Sequence, residues 1–217
     1  MKIIIIDNYD SFTYNLLHMV ESIVKHKVDV LRNDDPKLLD LSMYDKIILS
    51  PGPGIPDESG MLKEVIKKYA PTKSILGVCL GLQAIAEVFG AKLLNLSEVY
   101  HGIYTVIRLE NTKETIYRNL PETIKAGRYH SWIVDKKNLP GCFEITAEDE
   151  QGNIMSLTHK KYDVKGVQFH PESVLTENGE QIMKNWIGNN EKMELNLPSG
   201  SNSSFQISQI KSGLLFC

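Results

Sequence analysis

Residues 74–90 read Ser74-Ile75-Leu76-Gly77-Val78-Cys79-Leu80-Gly81-Leu82-Gln83-Ala84-Ile85-Ala86-Glu87-Val88-Phe89-Gly90. The first five form a short, nearly all-apolar run, as a strand covered on both faces of a parallel sheet does. Residues 83–90 read as a helix closed by glycine. Between them stands Gly77-x-Cys79-x-Gly81, a G-x-C-x-G placed on a strand-to-helix turn. That is the pattern of a nucleophile elbow with cysteine in place of serine. The glycines let the backbone turn sharply and let strand and helix approach, so the apex side chain is held out in a strained conformation. Cys79 would then sit at a helix N-terminus, where the dipole favours the thiolate. The plainer alternative is a packing cysteine at a strand end, since unpaired cysteines are among the most buried residues.

The same alternation extends to either side. Residues 2–6, 28–31 and 46–49 read as strands, and residues 57–69 as a helix with Met61, Leu62, Val65 and Ile66 on one face. From Ser11 onward, Phe12, Leu16, Met19, Val20 and Ile23 fall at helical spacing, with Ser11 or Asp10 available as cap. Strands separated by helices imply right-handed crossovers and a parallel sheet covered on both faces. From about residue 91 to 158 the texture turns β-rich, at 102–109, 123–126, 143–147 and 154–157, and should form mixed or antiparallel sheet closing onto the first. A strand at 164–169 and a helix at 177–187 complete the pattern. The expected fold is α/β: an open, mixed, mainly parallel sheet flanked by helices, with a smaller antiparallel sheet. One domain should span residues 1–190. The segment 191–217 holds six serines, two glycines and one proline, and reads as a tail outside the core.

Composition narrows the function. The chain has 217 residues, 42% hydrophobic and 24% charged, with a formal charge of -3. A chain of that length buries roughly 70% of its unfolded surface, so one sizeable core is expected. The charge gives no electrostatic preference for nucleic acid or an anionic membrane. Apolar runs span only a handful of residues where a membrane helix needs about 20. The N-terminal residues lack a secretory pattern, which makes a cytoplasmic address the expectation. Cys79, Cys142 and Cys217 are too scattered for a disulfide framework, and no Cys or His cluster has metal-ligand spacing. No metal or cofactor is expected.

Two further segments bear on Cys79. Val167-Gln168-Phe169-His170-Pro171-Glu172 ends a strand with an imidazole and a carboxylate separated by one proline. A thiol nucleophile needs a base to take and return its proton, and the base needs a third group to fix its tautomer. His170 and Glu172 suit those roles, and Pro171 restricts their relative arrangement. Ser50-Pro51-Gly52-Pro53-Gly54-Ile55-Pro56 follows another strand. Its uncovered backbone could supply an oxyanion donor from Gly54, paired with the N–H of Leu80. Singly, each segment also reads as an ordinary loop. Together they fall at the carboxyl ends of parallel strands, where open α/β sheets carry their sites.

The order of Asp7-Asn8-Tyr9-Asp10-Ser11-Phe12-Thr13-Tyr14-Asn15-Leu16, the 50–54 and 77–81 segments, Tyr129-His130-Ser131 and Gly166-Val167-Gln168-Phe169-His170-Pro171-Glu172 resembles the class I, triad-type glutamine amidotransferases. The likeness is greatest to glutaminase subunits of anthranilate synthase. It runs from residue 1 to about 188. It implies Cys79 as nucleophile, His170 as general base and acid, Glu172 as orienting carboxylate, and Gly52, Gly54, Gln83, Ser131 and Trp132 as residues holding L-glutamine. Gln83, four positions beyond Cys79, returns to the nucleophile's side after one helical turn. The implied partner is a chorismate-using synthase subunit, component I of anthranilate synthase or of aminodeoxychorismate synthase. The alternatives are a glutaminase shared by both synthases, a non-catalytic regulatory subunit, and a cysteine hydrolase acting on peptides or small thioesters.

Three positions depart from the family pattern. Leu82 stands where histidine is usual, Ile103 where lysine is usual after the His-Gly pair, and Trp132 where a smaller apolar residue is usual. No proton transfer is required of Leu82 once His170 is present. Ile103 removes a cation from a surface expected to meet the partner, and Trp132 is tolerable if the site uses main-chain groups there.

Overall fold

The computed structural model describes residues 1–110 and 114–188, so the expected tail at 191–217 lies outside the described residues. The strands in chain order are β1 (Ile3–Asp7), β2 (Asp29–Arg32), β3 (Lys46–Leu49), β4 (Ser74–Val78), β5 (Leu93–Asn95), β6 (Ile103–Leu109), β7 (Thr123–Arg128), β8 (Trp132–Val134), β9 (Phe143–Asp149), β10 (Ile154–His159) and β11 (Val164–Val167). The helices are α1 (Thr13–Val24), α2 (Leu62–Tyr69), α3 (Leu80–Val88) and α4 (Gly179–Gly188).

Nine of these strands form one sheet in the order β2-β1-β3-β4-β11-β10-β9-β6-β7. The block from β2 to β11 is parallel. From β11 to β7 every pairing is antiparallel. β5 and β8 pair antiparallel as a separate two-stranded sheet. The four consecutive isoleucines of β1 explain themselves in this setting. Ile3 and Ile5 face Leu16 and Val20 of α1 and Ile182, Met183 and Trp186 of α4. Ile4 and Ile6 face Leu62, Val65 and Ile66 of α2 and Leu82 and Ile85 of α3. Side chains alternate along a strand, so a strand covered on both sides has no polar positions to offer.

Two expectations change in detail. α1 begins at Thr13 with Phe12 at the cap position and no side-chain cap there. Asp10 instead accepts from the backbone N–H of Phe12 at 2.7 Å and shapes the turn before the helix. The helix expected over 57–69 starts only at Leu62, because Gly60 sits at φ 53 and separates it from a short 3-10 turn at Pro56–Glu58. The β-rich half closes onto the first, as expected. Four of its strands extend the main sheet, and only β5 and β8 stand apart.

Candidate active site

The elbow is built by close approach. A Cβ on Gly77 would stand 2.4 Å from the Gly81 carbonyl carbon, and one on Gly81 would stand 2.5 Å from the Leu49 oxygen. Only hydrogen fits at either place, so β4 and α3 meet with no side chain between them, and the intervening residue must reverse the chain. Cys79 does so at φ 51, ψ -100, a region L-residues rarely enter, at a cost of about 1–3 kcal/mol. Its N–H donates to the Val167 carbonyl at 2.8 Å, which ties the apex to β11. Among the described residues Cys79 is the free cysteine, and it is 5% exposed.

Beyond β11 the chain carries His170 beside this apex. Its Nδ1 lies 2.7 Å from Glu172 Oε1, and both side chains are buried. The rings of Phe12 and Tyr129 pack against the imidazole at centroid distances of 5.2 and 4.8 Å. Burial pulls the imidazole pKa down, but the interactions with Cys79 and then Glu172 outweigh it and raise it to about 10. The imidazolium is the form of His170 that this favours. Nε2, the nitrogen left for Cys79, is buried without a hydrogen bond of good geometry. His170 therefore stands beside Cys79 without an aligned hydrogen bond to it, a state common before substrate binds.

In front of Cys79 opens a cavity of about 360 Å³ lined by Gly52, Gly54, Gln83, Ser131 and Trp132, with Tyr129 and His130. Neither His170 nor Glu172 is among its lining residues. Leu80 is the first residue of α3, so its N–H is one of those a helix leaves without an internal acceptor. Its side chain fills the space beside Gly52, where an added Cβ would lie 2.4 Å from Leu80 Cδ2. Gly54 takes φ 72 at the tip of the 50–54 loop. The residues singled out from the sequence thus converge on one end of the sheet.

Several residues that build this end had no assigned role in the sequence, among them Asn8, His130 and Gln168 of the quoted motifs. Asn8 donates its side-chain amide to the Ser50 carbonyl at 2.9 Å and its backbone N–H to Ser50 Oγ at 2.9 Å, and so pins the start of the glycine loop. Asn33 in turn donates to Asn8 Oδ1. Gln83 Nε2 donates to the Trp132 carbonyl at 2.9 Å and to Gln168 Oε1 at 3.3 Å. Gln168 Nε2 lies 3.5 Å from Cys79 Sγ. His130 bridges the Trp132 carbonyl and the Arg128 guanidinium, at 3.0 and 3.2 Å. Arg128 is itself buried in an ion pair with Asp149 at 2.7 Å. Burial, and then the Arg128 charge, press the His130 pKa down to about 3, so this imidazole is neutral.

The departures from the family pattern fall apart from the reacting atoms. Leu82 is fully buried, packs on Gly166 of β11 and does not line the cavity. Ile103 is 47% exposed beside the exposed Tyr104. Trp132 presents its carbonyl, not only its ring, to the site.

Comparison with known proteins agrees with this geometry. The chain is 45% identical over 188 residues to anthranilate synthase component 2 of Cyanophora paradoxa, covering 85% of this chain and 97% of that protein. It is 43% identical over 187 residues to aminodeoxychorismate synthase component 2 of Klebsiella aerogenes, covering 85% and 98%. A crystal structure of a GMP synthase component from Thermoplasma acidophilum superposes with a TM-score of 0.76 at 28% identity, over 87% of this chain and 92% of the other. The family model for glutamine amidotransferase class-I matches residues 4–189, and the chain belongs to that family.

Proposed function

We propose that this chain is the glutaminase subunit of a chorismate-aminating synthase, hydrolysing the side-chain amide of L-glutamine and handing ammonia to a component I partner in the cytoplasm. The observation that carries the reading is Cys79 on its strained turn, with the buried His170–Glu172 pair beside it and a cavity lined by Gln83, Ser131 and Trp132 in front.

Cys79 thiolate attacks the amide carbon of glutamine, and the oxyanion is held by backbone N–H groups of Gly54 and Leu80. His170 gives its Nε2 proton to the leaving nitrogen, the C–N bond breaks, and ammonia departs from a glutamyl thioester. The neutral imidazole then takes a proton from water, hydroxide adds to the thioester carbon, and the C–S bond breaks to release glutamate and restore the thiolate. Glu172 keeps the proton of His170 on Nδ1 throughout, so that Nε2 alone faces the reaction. No step calls for a metal or cofactor in this chain.

Anthranilate synthesis is the principal reading. Supply of ammonia for aminodeoxychorismate is the second, favoured by a relative of that name at nearly the same identity. The test is synthesis by this chain mixed with each component I, supplied with glutamine or with ammonium. The reading expects Cys79→Ser to abolish glutamine-dependent product and spare ammonium-dependent product. Normal glutamine turnover by that variant would overturn it. The partner whose product rises with glutamine identifies the branch.

A further inference from the structure

A chain of polar groups runs from the cavity wall to the nucleophile, and its polarity is set at one end. The Trp132 carbonyl can only accept, so the Gln83 atom 2.9 Å from it is the amide nitrogen. The same nitrogen lies 3.3 Å from Gln168, which must turn its oxygen there. The other terminus of that carboxamide, 3.5 Å from Cys79 Sγ, is therefore Nε2. His130 agrees independently. Its Nε2 faces the Arg128 guanidinium, a pure donor, and so accepts, which leaves Nδ1–H for the Trp132 carbonyl. Gln168 is 0% exposed, and its backbone N–H is bound to the Met155 carbonyl at 2.9 Å, so the side chain starts from a fixed point.

From this we infer that Gln168 is a hydrogen-bond donor to the Cys79 sulfur, held in its donating orientation by Gln83, and that it stabilises the ionised nucleophile. The inference deepens the glutaminase reading and rests on it. His170 offers the sulfur one donor. Gln168 offers a second that stays in place when His170 gives its proton to the leaving group. Because Gln83 lines the cavity and also orients Gln168, a ligand that draws on Gln83 changes the donor at the sulfur. The titratable groups near Cys79 are His170, which is paired with Glu172 and also feels Asp10 from the loop after β1, and His101, Tyr129 and His130 in the lining of the shared cavity. Gln168 is the neutral member of the set, so its contribution is separable from theirs.

The experiment is alkylation of Cys79 in the full chain by iodoacetamide, followed by peptide mass across pH, in native protein, Gln168→Leu and Gln168→Glu. Loss of a donor to a charged sulfur should move the profile upward by about one pH unit, a roughly tenfold slower reaction on its rising limb, and the glutamate variant should move it further. A profile unmoved in both folded variants overturns the inference. Should either variant fail to fold, the native protein decides: the Gln168 side-chain amide resonance should shift when Cys79 is alkylated, and an unchanged resonance overturns the inference. Alkylation needs neither glutamine nor partner. A displaced profile in a chain without glutaminase turnover would support this hydrogen bond while sinking the proposed function.

Discussion

His170 Nδ1 and Glu172 Oε1 stand 2.7 Å apart across the single residue Pro171, with both side chains almost wholly out of water. A carboxylate can only accept, so the pair holds the proton on Nδ1 and leaves Nε2 to face the sulfur. The carboxylate charge also helps raise the imidazole pKa to about 10, against the effect of burial.

Replacing Glu172 by glutamine keeps the shape and removes the charge. The imidazolium then loses part of its stabilisation, while the cavity lining is untouched. We expect glutamine kcat to fall by about a hundredfold or more with KM little changed. Ammonium-dependent synthesis with the partner should be unaffected. Steady-state kinetics with each nitrogen source check this, and a proportional loss of both activities would point to misfolding instead.

His130 predicts an acid sensitivity. Its folded pKa, depressed by burial and then by Arg128 to about 3, lies below the ordinary histidine value of 6.5. Between these values the unfolded chain binds the proton and the folded chain does not. Stability is therefore intact above 6.5 and falls as pH drops from there toward 3, with a slope of up to about 1.4 kcal/mol per pH unit. His130→Asn can still donate to the Trp132 carbonyl but cannot be protonated, so it should flatten this part of the curve. Urea unfolding at pH 7, 6 and 5 for both proteins measures it, and parallel curves would rule His130 out as the source.

Local patterns carried much of this far, and the limits were those of distance along the chain. The parallel half was legible because β1, β3 and β4 are buried on both faces and so read as continuous apolar runs. The convergence of Cys79, His170 and Glu172 was legible because each residue sits in a short motif at a strand's end. Which of the β-rich strands join the main sheet and which stand apart was not, since antiparallel pairing of amphipathic strands looks alike whether they extend a sheet or found another. The roles of Asn8 and Gln168 depend on partners 42 and 89 residues away through specific atoms. A hydrogen bond between distant side chains leaves no periodic signature.

Gly81 tests the close approach directly. The atom an alanine would meet there is the backbone oxygen of Leu49, the last residue of β3, at 2.5 Å, and a strand backbone cannot yield as a flexible side chain could. Gly81→Ala should cost about 2 kcal/mol of stability and displace the start of α3, with glutaminase activity lost more completely than the folded fraction. Denaturation and turnover on the same preparation check this. A stable, fully active alanine variant would mean that strand and helix are not so tightly apposed.

The strain at Cys79 gives the last expectation. At φ 51, ψ -100 any residue with a Cβ is crowded, and glycine is not. Cys79→Ala and Cys79→Gly both lack the sulfur and should both be without glutaminase activity, so the comparison reads backbone energy with chemistry removed. At an ordinary position beside a helix, glycine is the less stable of the two because the unfolded chain has more freedom to lose. Here the order should invert, with the glycine variant more stable than the alanine variant by about 1 kcal/mol. The two share the loss of contacts between Sγ and its neighbours His170 and Gln168, which therefore cancels in the difference. Urea unfolding of the pair at pH 7 measures that difference. Equal stability, or alanine ahead, would show that the elbow does not hold its nucleophile under strain and that its reactivity comes from the surrounding donors alone.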